Sequence, residues 1–289
     1  MSLREKILIY LRNPHPVYED RLTHALVENK WHRLANEKRL GMDDYSIASF
    51  IMDGALVDLP EKAPLFDGKP GMPRVVIELP QFQYLSTFYN ECGLVPLSGE
   101  DVFGVRGAEK IRRAFAIMES VPELSRAVSE LIRSIQLLKS ENEEFDISHS
   151  DPAVPFSIFV SVGKSEGIVA DLRICESILH EAMHLKLTLI EENVNLVVSG
   201  TTEQYHSPWR GENRPVRGVL HGLFVFRAIH DFYKEILSMA EWGATATEFA
   251  KDRIFSVEEE ISIIKHLHLS QGLTEYGCQL AKSLIISGN

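Results

Sequence analysis

The sequence predicts a mostly helical α+β fold, in which a histidine-bearing helix packs beside a small sheet. Residues 18–38 carry apolar side chains at helical spacing, which predicts a packing helix early in the chain. Residues 155–163 form a run of strand-forming residues that begins at a proline and ends at a glycine. Residues 171–192 return to helical spacing with one buried face. A strand followed directly by a long amphipathic helix favours helix-on-sheet packing in the second half.

The length and the internal composition suggest two regions. A chain of 289 residues that is 45% hydrophobic can bury one large core or two small ones. A polar stretch at 140–153 separates the halves. We therefore expect a helical N-terminal region at 1–150, which could bind a peptide, and a metal-binding catalytic region at 151–289.

The composition also limits the partners. A formal net charge of −11 argues against binding to nucleic acid or to an anionic membrane surface. The sequence contains neither an apolar run long enough to span a membrane nor a secretory signal, so we expect a cytoplasmic protein. Cys92, Cys175 and Cys278 are widely spaced, which predicts no disulfide framework and no cysteine zinc site. The oligomeric state cannot be predicted from the sequence.

Three further local expectations concern the N-terminal region. Apolar spacing predicts helices through 109–139, and Pro122 should break this stretch in two. The Pro- and Gly-rich stretch 60–75 is typical of a loop, and 75–79 follows it as a predicted strand.

The motif that carries chemistry is HEAMH at residues 180–184. His180 and His184 are four residues apart, so on a helix both imidazoles share one face and can bind one metal ion. Glu181 follows the first histidine. This is the HExxH arrangement of metalloproteases, in which the glutamate is a general base on metal-bound water.

A third ligand has to come from elsewhere in the chain. The metzincin continuation is excluded, because Leu187 and Ile190 stand where that pattern needs glycine and histidine. Glu203 lies at a tolerable distance but in a segment that looks like loop. His221 is the better candidate, because it lies on an apolar helix that starts near Pro215. Arg214 and Arg217 precede His221 by seven and four residues, on the same helix face.

The segments LHEAMHLKL at 179–187 and HSPWRGENRPVRGVLHGLFVF at 206–226 resemble the HExxH-type, iron(II)- and 2-oxoglutarate-dependent peptide β-hydroxylases of modified-peptide biosynthesis. The resemblance covers about 155–235 and leaves the N-terminal half unmatched. It implies His180, His184 and His221 as ligands of Fe(II), and an arginine among Arg210, Arg214 and Arg217 as the anchor of 2-oxoglutarate. It also implies a ribosomally made precursor peptide as substrate.

Two alternatives remain open beside the hydroxylase. A zinc-dependent metallopeptidase would use the same motif with Glu181 as its base, and a peptide-binding protein would have no catalytic activity. Glu181 distinguishes the peptidase from the hydroxylase, because attack by water needs this base and abstraction of a hydrogen atom does not. A measurement of bound metal distinguishes the non-catalytic binding protein from the two enzymes.

Overall fold

The computed structural model describes residues 1–12, 14, 20–38, 65–66, 75–78, 82–98, 106–140, 146–239 and 242–286. Within these residues the fold is α+β and mostly helical, as the sequence predicts. The chain divides into two compact units. One contains residues 27–185, and the other combines residues 1–26 with residues 186–289.

The unit of residues 27–185 contains a five-stranded sheet. Its strands, in chain order, are β1 (Leu65–Phe66), β2 (Val75–Glu78), β3 (Ser134–Leu138), β4 (Ser148–His149) and β5 (Ser157–Ser161). Their spatial order is β1-β2-β3-β5-β4. The inner pairs β2/β3 and β3/β5 are parallel, and both outer pairs are antiparallel. The strands predicted at 75–79 and 155–163 are thus confirmed.

The prediction of helix through 109–139 is wrong at its end, where β3 forms. All five residues of β3 are buried, as are all five of β5. A strand that is buried on both faces carries apolar residues without alternation, so its pattern also matches helical spacing. The rest of this stretch forms α4 (Gly107–Met118) and α5 (Pro122–Leu131), and Pro122 begins the second helix as predicted.

Two of the helices that precede α4 lie between residues 20 and 91. The first, α2 (Asp20–Lys38), confirms the helix predicted at 18–38, and α3 (Phe82–Glu91) follows β2. The side chains of Phe88 and Tyr89 pack against Phe159 of β5, which joins α3 to the sheet. Of the loop predicted at 60–75, only residues 65–66 and 75 lie in the described part of the chain, and they belong to strands.

The motif helix is α6 (Ile168–Glu191), which confirms the helix predicted at 171–192. Asp171 in its first turn accepts a hydrogen bond from Nε of Arg113 of α4 at 2.7 Å. One turn further on, the Cys175 thiol donates to the carbonyl of Ala114. These contacts anchor the N-terminal part of α6 against α4.

The other unit is helical apart from one hairpin. Its elements are α1 (Leu3–Arg12), β6 (Gln204–Ser207), β7 (Glu212–Pro215), α7 (Val216–Ser238), α8 (Ala244–Ile263), a 3-10 turn at Leu267–Leu269, and α9 (Glu275–Ile286). β6 and β7 pair antiparallel, and α7 packs on α8. Pro215 ends β7 and immediately precedes α7, in agreement with its predicted place at a helix start.

The two units do not divide at residue 150, where the sequence analysis put a boundary. The polar stretch there includes β4, which pairs with β5, so residues 148–149 belong to the sheet. Peptide binding by the N-terminal region stays a prediction. Among the helices of the described residues, none is both long and apolar enough to cross a membrane.

Candidate metal centre

His180 and His184 of α6 face each other. Their Nε2 atoms are 3.1 Å apart, and the ring centroids are 4.8 Å apart at an interplanar angle of 70°. Helix geometry explains the approach, because residues four apart lie one turn above each other. Two nitrogens at this separation subtend about 100° at an ion about 2.0–2.1 Å from each, between octahedral and tetrahedral values. The donor pair therefore fits one shared divalent ion.

Glu181 is held beside this pair by two serine hydroxyls. Oγ of Ser148 donates to Oε1 of the carboxylate and Oγ of Ser150 donates to Oε2, both at 2.6 Å. Oε1 also lies 4.0 Å from Nε2 of His180. Only 4% of Glu181 is exposed, so this carboxylate is a buried group with a hydrogen bond to each oxygen.

The two serines come from the edge of the sheet. Ser148 is the first residue of β4, and Ser150 follows this strand directly. Residues two apart along extended chain point to the same side, and His149 between them packs against Phe88 and Phe159. The sequence analysis missed both serines, because 140–153 looked like a polar separator. The alternation Ser-His-Ser was the available signal.

His221 has a different partner. It is buried in α7 at 7% exposure, and its Nε2 lies 3.0 Å from Oε2 of Glu191 at the C-terminal end of α6. Arg217 donates to the same oxygen through Nε at 2.9 Å and Nη2 at 2.6 Å. Burial alone would raise the pKa of Glu191, but the hydrogen bonds and charges of His221 and Arg217 outweigh it and lower this pKa. Sequence reasoning missed Glu191 as a partner.

Among the residues that the structure describes, no three His, Cys, Asp or Glu side chains come together as a group that could hold a metal ion. His180 and His184 are the part of the predicted ligand set that is brought together. His221 has its Nε2 on Glu191 instead, so its role as third ligand stays a prediction.

Glu203, the alternative third ligand, closes a turn in its own unit. Its Oε2 accepts hydrogen bonds from Oγ of Ser270 at 2.8 Å and from the backbone N–H of Gly272. These contacts tie the segment before β6 to the turn before α9. Glu203 therefore has a structural role in joining these two segments.

The three predicted cosubstrate arginines have different surroundings. Arg217 binds Glu191, so it already has a carboxylate partner. Arg210 is exposed in the turn between β6 and β7, where its backbone N–H donates to the carbonyl of Ser207. Arg214 belongs to β7 and precedes the start of α7, so the prediction that it shares a helix face with His221 is wrong. It is half-buried and lies over Gly218 of α7.

Trp209 in the same turn packs flat on α7. Its ring is stacked on Phe226 with centroids 4.8 Å apart and planes within 4°. A Cβ at Gly222 would come within 2.5 Å of the indole ring, so a glycine is needed there. Stacking on the helix gives Trp209 a packing role.

The second buried histidine of α7 also has acidic partners. Nδ1 of His230 lies 3.1 Å from Asp231, and its Nε2 lies 3.0 Å from Glu258 of α8. Asp231 pairs with Arg227 as well. His230 therefore belongs to a polar network between α7 and α8.

Comparison with known proteins adds no family assignment, because no protein-family model and no curated protein matches the chain.

Proposed function

We propose that this chain is an iron(II)- and 2-oxoglutarate-dependent hydroxylase that acts on the β-carbon of a residue in a ribosomally synthesised precursor peptide. The observation that carries the proposal is the His180–His184 pair, with Nε2 atoms 3.1 Å apart on one helix face. The peptide substrate and the cosubstrate are proposed because the segments around these histidines and around His221 resemble that family.

Each residue has a distinct role in this proposal. His180 and His184 hold the iron, and His221 is the third ligand that the resemblance implies. For His221 to bind through Nε2, its contact with Glu191 must be given up. Three protein ligands leave positions open on an octahedral ion for a cosubstrate and for O₂.

Iron and 2-oxoglutarate, when bound, supply the oxidising chemistry: a peptide C–H bond, O₂ and 2-oxoglutarate give C–OH, succinate and CO₂. The chain has to hold the distal carboxylate of the cosubstrate, and a guanidinium does this with paired hydrogen bonds. Because Arg217 already binds Glu191, Arg210 and Arg214 have the stronger claim to this role.

Glu181 fits a positioning role in this reaction. Both of its carboxylate oxygens accept hydrogen bonds from serine hydroxyls, so the side chain is held in one orientation beside His180. A fixed, buried carboxylate next to a ligand stabilises a bound cation without taking part in proton transfer.

A zinc-dependent metallopeptidase is the second candidate, and one observation favours it. Oε1 of Glu181 is 4.0 Å from Nε2 of His180, which puts a carboxylate within reach of a water molecule shared with the metal. In that enzyme Glu181 would take the proton of the attacking water.

The deciding experiment is a reaction with the metal-loaded protein. The chain, loaded with Fe(II) without oxygen, is given 2-oxoglutarate, O₂ and candidate precursor peptides from neighbouring genes. We expect a peptide heavier by one oxygen atom and an equivalent amount of succinate, both measured by mass spectrometry. If calorimetry with the Mn(II)-loaded protein detects no binding of 2-oxoglutarate, the hydroxylase is excluded. Cleaved peptide from the zinc-loaded protein would favour the second candidate.

The ligand set needs a separate test. His180→Ala and His184→Ala should abolish tight binding of Fe(II) or Zn(II), and His221→Ala should do the same if it is the third ligand. His230→Ala is the matched control for His221→Ala. It removes the other buried histidine of α7, which contacts Asp231 and Glu258. Unchanged affinity in His221→Ala would point to another ligand, such as Glu203.

The remaining parts of the proposal concern the setting. We propose a cytoplasmic enzyme, and a net charge of −11 disfavours nucleic acid and anionic membranes as its partners.

A further inference from the structure

Among the described residues, the donors that the Glu181 carboxylate accepts from are two neutral serine hydroxyls. Ser148 and Ser150 each give one hydroxyl hydrogen bond at 2.6 Å, to different oxygens of the group. With both oxygens held, rotation of the carboxylate plane is restricted. A buried carboxylate at 4% exposure needs such donors, because an unsatisfied charge would be costly.

The chemical type of the donors matters. An arginine or a lysine in their place would compensate the negative charge, whereas a hydroxyl satisfies the oxygen and leaves the charge in place. That charge lies 4.0 Å from Nε2 of His180, the atom that faces His184. A carboxylate beside a pair of imidazole nitrogens favours a cation between or next to them.

We propose that Ser148 and Ser150 are positioning residues, which hold the charged Glu181 carboxylate beside His180 and His184 so that it strengthens the binding of a divalent cation there. This inference rests on the metal site of the proposed function and adds two residues to it. The serines act through Glu181 and have no contact with the substrate in the proposal.

The expected effect is a loss of metal affinity with the fold retained. Removing both hydroxyls frees the carboxylate to turn away from the histidines, and partners of this kind typically change metal affinity by about 10–100-fold. The double variant Ser148→Ala/Ser150→Ala should therefore bind Co(II) about 10–100-fold more weakly, and each single variant should lose part of that.

The chain offers a matched control and a rescue. Ser157 is a fully buried serine of β5 whose hydroxyl has no hydrogen-bond partner among the described residues. Ser157→Ala therefore removes a hydroxyl of the same sheet that does not bind Glu181. Ser148→Thr/Ser150→Thr keeps both hydroxyls and should restore most of the affinity that the alanine variants lose.

The experiment measures Co(II) binding to the full chain by competition with a chelator, the visible absorption of the bound Co(II), and thermal unfolding with the metal removed. Lower affinity and shifted Co(II) bands in the folded alanine variants, with both restored by threonine and unchanged in Ser157→Ala, support the proposal. A merely structural role would lower the unfolding temperature without shifting the Co(II) bands.

Two further results would overturn the inference in different ways. If the folded double variant binds Co(II) within about 2-fold of the wild type, the serines do not position Glu181, and the proposed metal site stands. If the wild type itself binds none of Co(II), Zn(II), Mn(II) or Fe(II), the metal site and the proposed function fail together. Should the double variant not fold, the two single variants are compared with Ser157→Ala by the same criteria.

Discussion

Nε2 of His221 lies 3.0 Å from Oε2 of Glu191, the same oxygen to which Arg217 donates two hydrogen bonds. One carboxylate thus holds the histidine predicted to bind metal and one of the three arginines predicted as candidates for binding the cosubstrate. An ion or an anion that uses these two side chains has to compete with Glu191. The end of α6 therefore affects the availability of both groups on α7.

Replacing Glu191 by Gln should destabilise the unit that contains α7. The variant keeps the shape but loses the negative charge that pairs with His221, and loss of a partly buried hydrogen bond to a charged group costs about 1–3 kcal/mol. Urea unfolding at neutral pH measures this loss. Glu259→Gln, at an exposed position of α8 in the same unit, is the control and should change stability by less than about 0.5 kcal/mol.

The contact between Glu191 and His221 should make the free energy of unfolding depend on pH in the acid range. Because the pKa of Glu191 is lowered in the folded state, its contribution is fully present above the ordinary glutamate value of about 4.3 and is lost as the pH falls through the lower, folded pKa. The difference in unfolding free energy between wild type and Glu191→Gln should therefore shrink on acidification. A difference that stays constant down to pH 3 would contradict this account.

Among the arginines, substitution of Arg210 or Arg214 should weaken 2-oxoglutarate binding more than substitution of Arg217. Loss of a charge-assisted contact to a carboxylate typically costs about 1.5–3 kcal/mol, or roughly 10–100-fold in affinity. Calorimetry with the Mn(II)-loaded Leu variants provides the measurement. Arg112→Leu, at an exposed position of α4, controls for general loss of positive charge. A steep loss in Arg217→Leu alone would mean that Glu191 yields Arg217 to the cosubstrate.

The packing of the β6–β7 turn on α7 can be tested with two glycines of that helix. Alanine at Gly222 would bring a Cβ within 2.5 Å of the Trp209 ring, so Gly222→Ala should cost about 1–3 kcal/mol in unfolding free energy. At Gly218 the nearest atoms belong to Arg214 at 3.7 Å, an ordinary contact. Gly218→Ala should be neutral or stabilise by up to about 1 kcal/mol. Equal effects in denaturant unfolding would refute the predicted role of Trp209.

The helices α2, α4, α5 and α6 were predictable from the sequence because apolar side chains recur along them at helical spacing. Pro122 marked the start of α5 for a local reason, since proline suits the first turn of a helix and cannot continue one. The strand β3 could not be separated from a helix by pattern. Its burial depends on pairing with β2 and β5, and the local sequence does not determine that pairing.

The candidate site was predictable only where its contacts are local. His180 and His184 meet because a single helix turn brings them together. Ser148 and Ser150 reach Glu181 through the pairing of β4 with β5, more than thirty positions away in sequence from the motif helix residue they hold. Such long-range contacts depend on the sheet order, which spacing does not reveal.

Cys175 should resist thiol reagents until the protein unfolds. Burial raises the pKa of its thiol well above the ordinary value, and the negative charge of Asp171 raises it further, so little thiolate forms at neutral pH. Cys92 and Cys278 are only half-buried and should react first. Alkylation followed by mass spectrometry should label Cys175 only in denaturant. Rapid labelling of Cys175 in the native protein would contradict the burial of its thiol against Ala114 of α4.

The exchange of Glu181 for Gln separates the two candidate enzymes, because the carboxylate has a different kind of task in each. A zinc peptidase needs it to take a proton from metal-bound water, and Gln keeps the size and much of the hydrogen bonding while removing the base. Peptide cleavage should then fall by orders of magnitude. A hydroxylase makes its oxidant from O₂ and the keto acid, so the loss should be about 10–100-fold, as for other residues that orient a metal ligand.

We expect the second outcome. The wild type should give a peptide heavier by one oxygen atom, and Glu181→Gln should give less of the same product with succinate still formed. Glu176→Gln, one and a half turns earlier on the same helix, is the control for loss of charge on α6 and should leave the yield nearly unchanged. Cleaved peptide without added oxygen, lost completely in the Gln variant, would show instead that Glu181 is a general base and that the serine hydroxyls hold it ready for proton transfer.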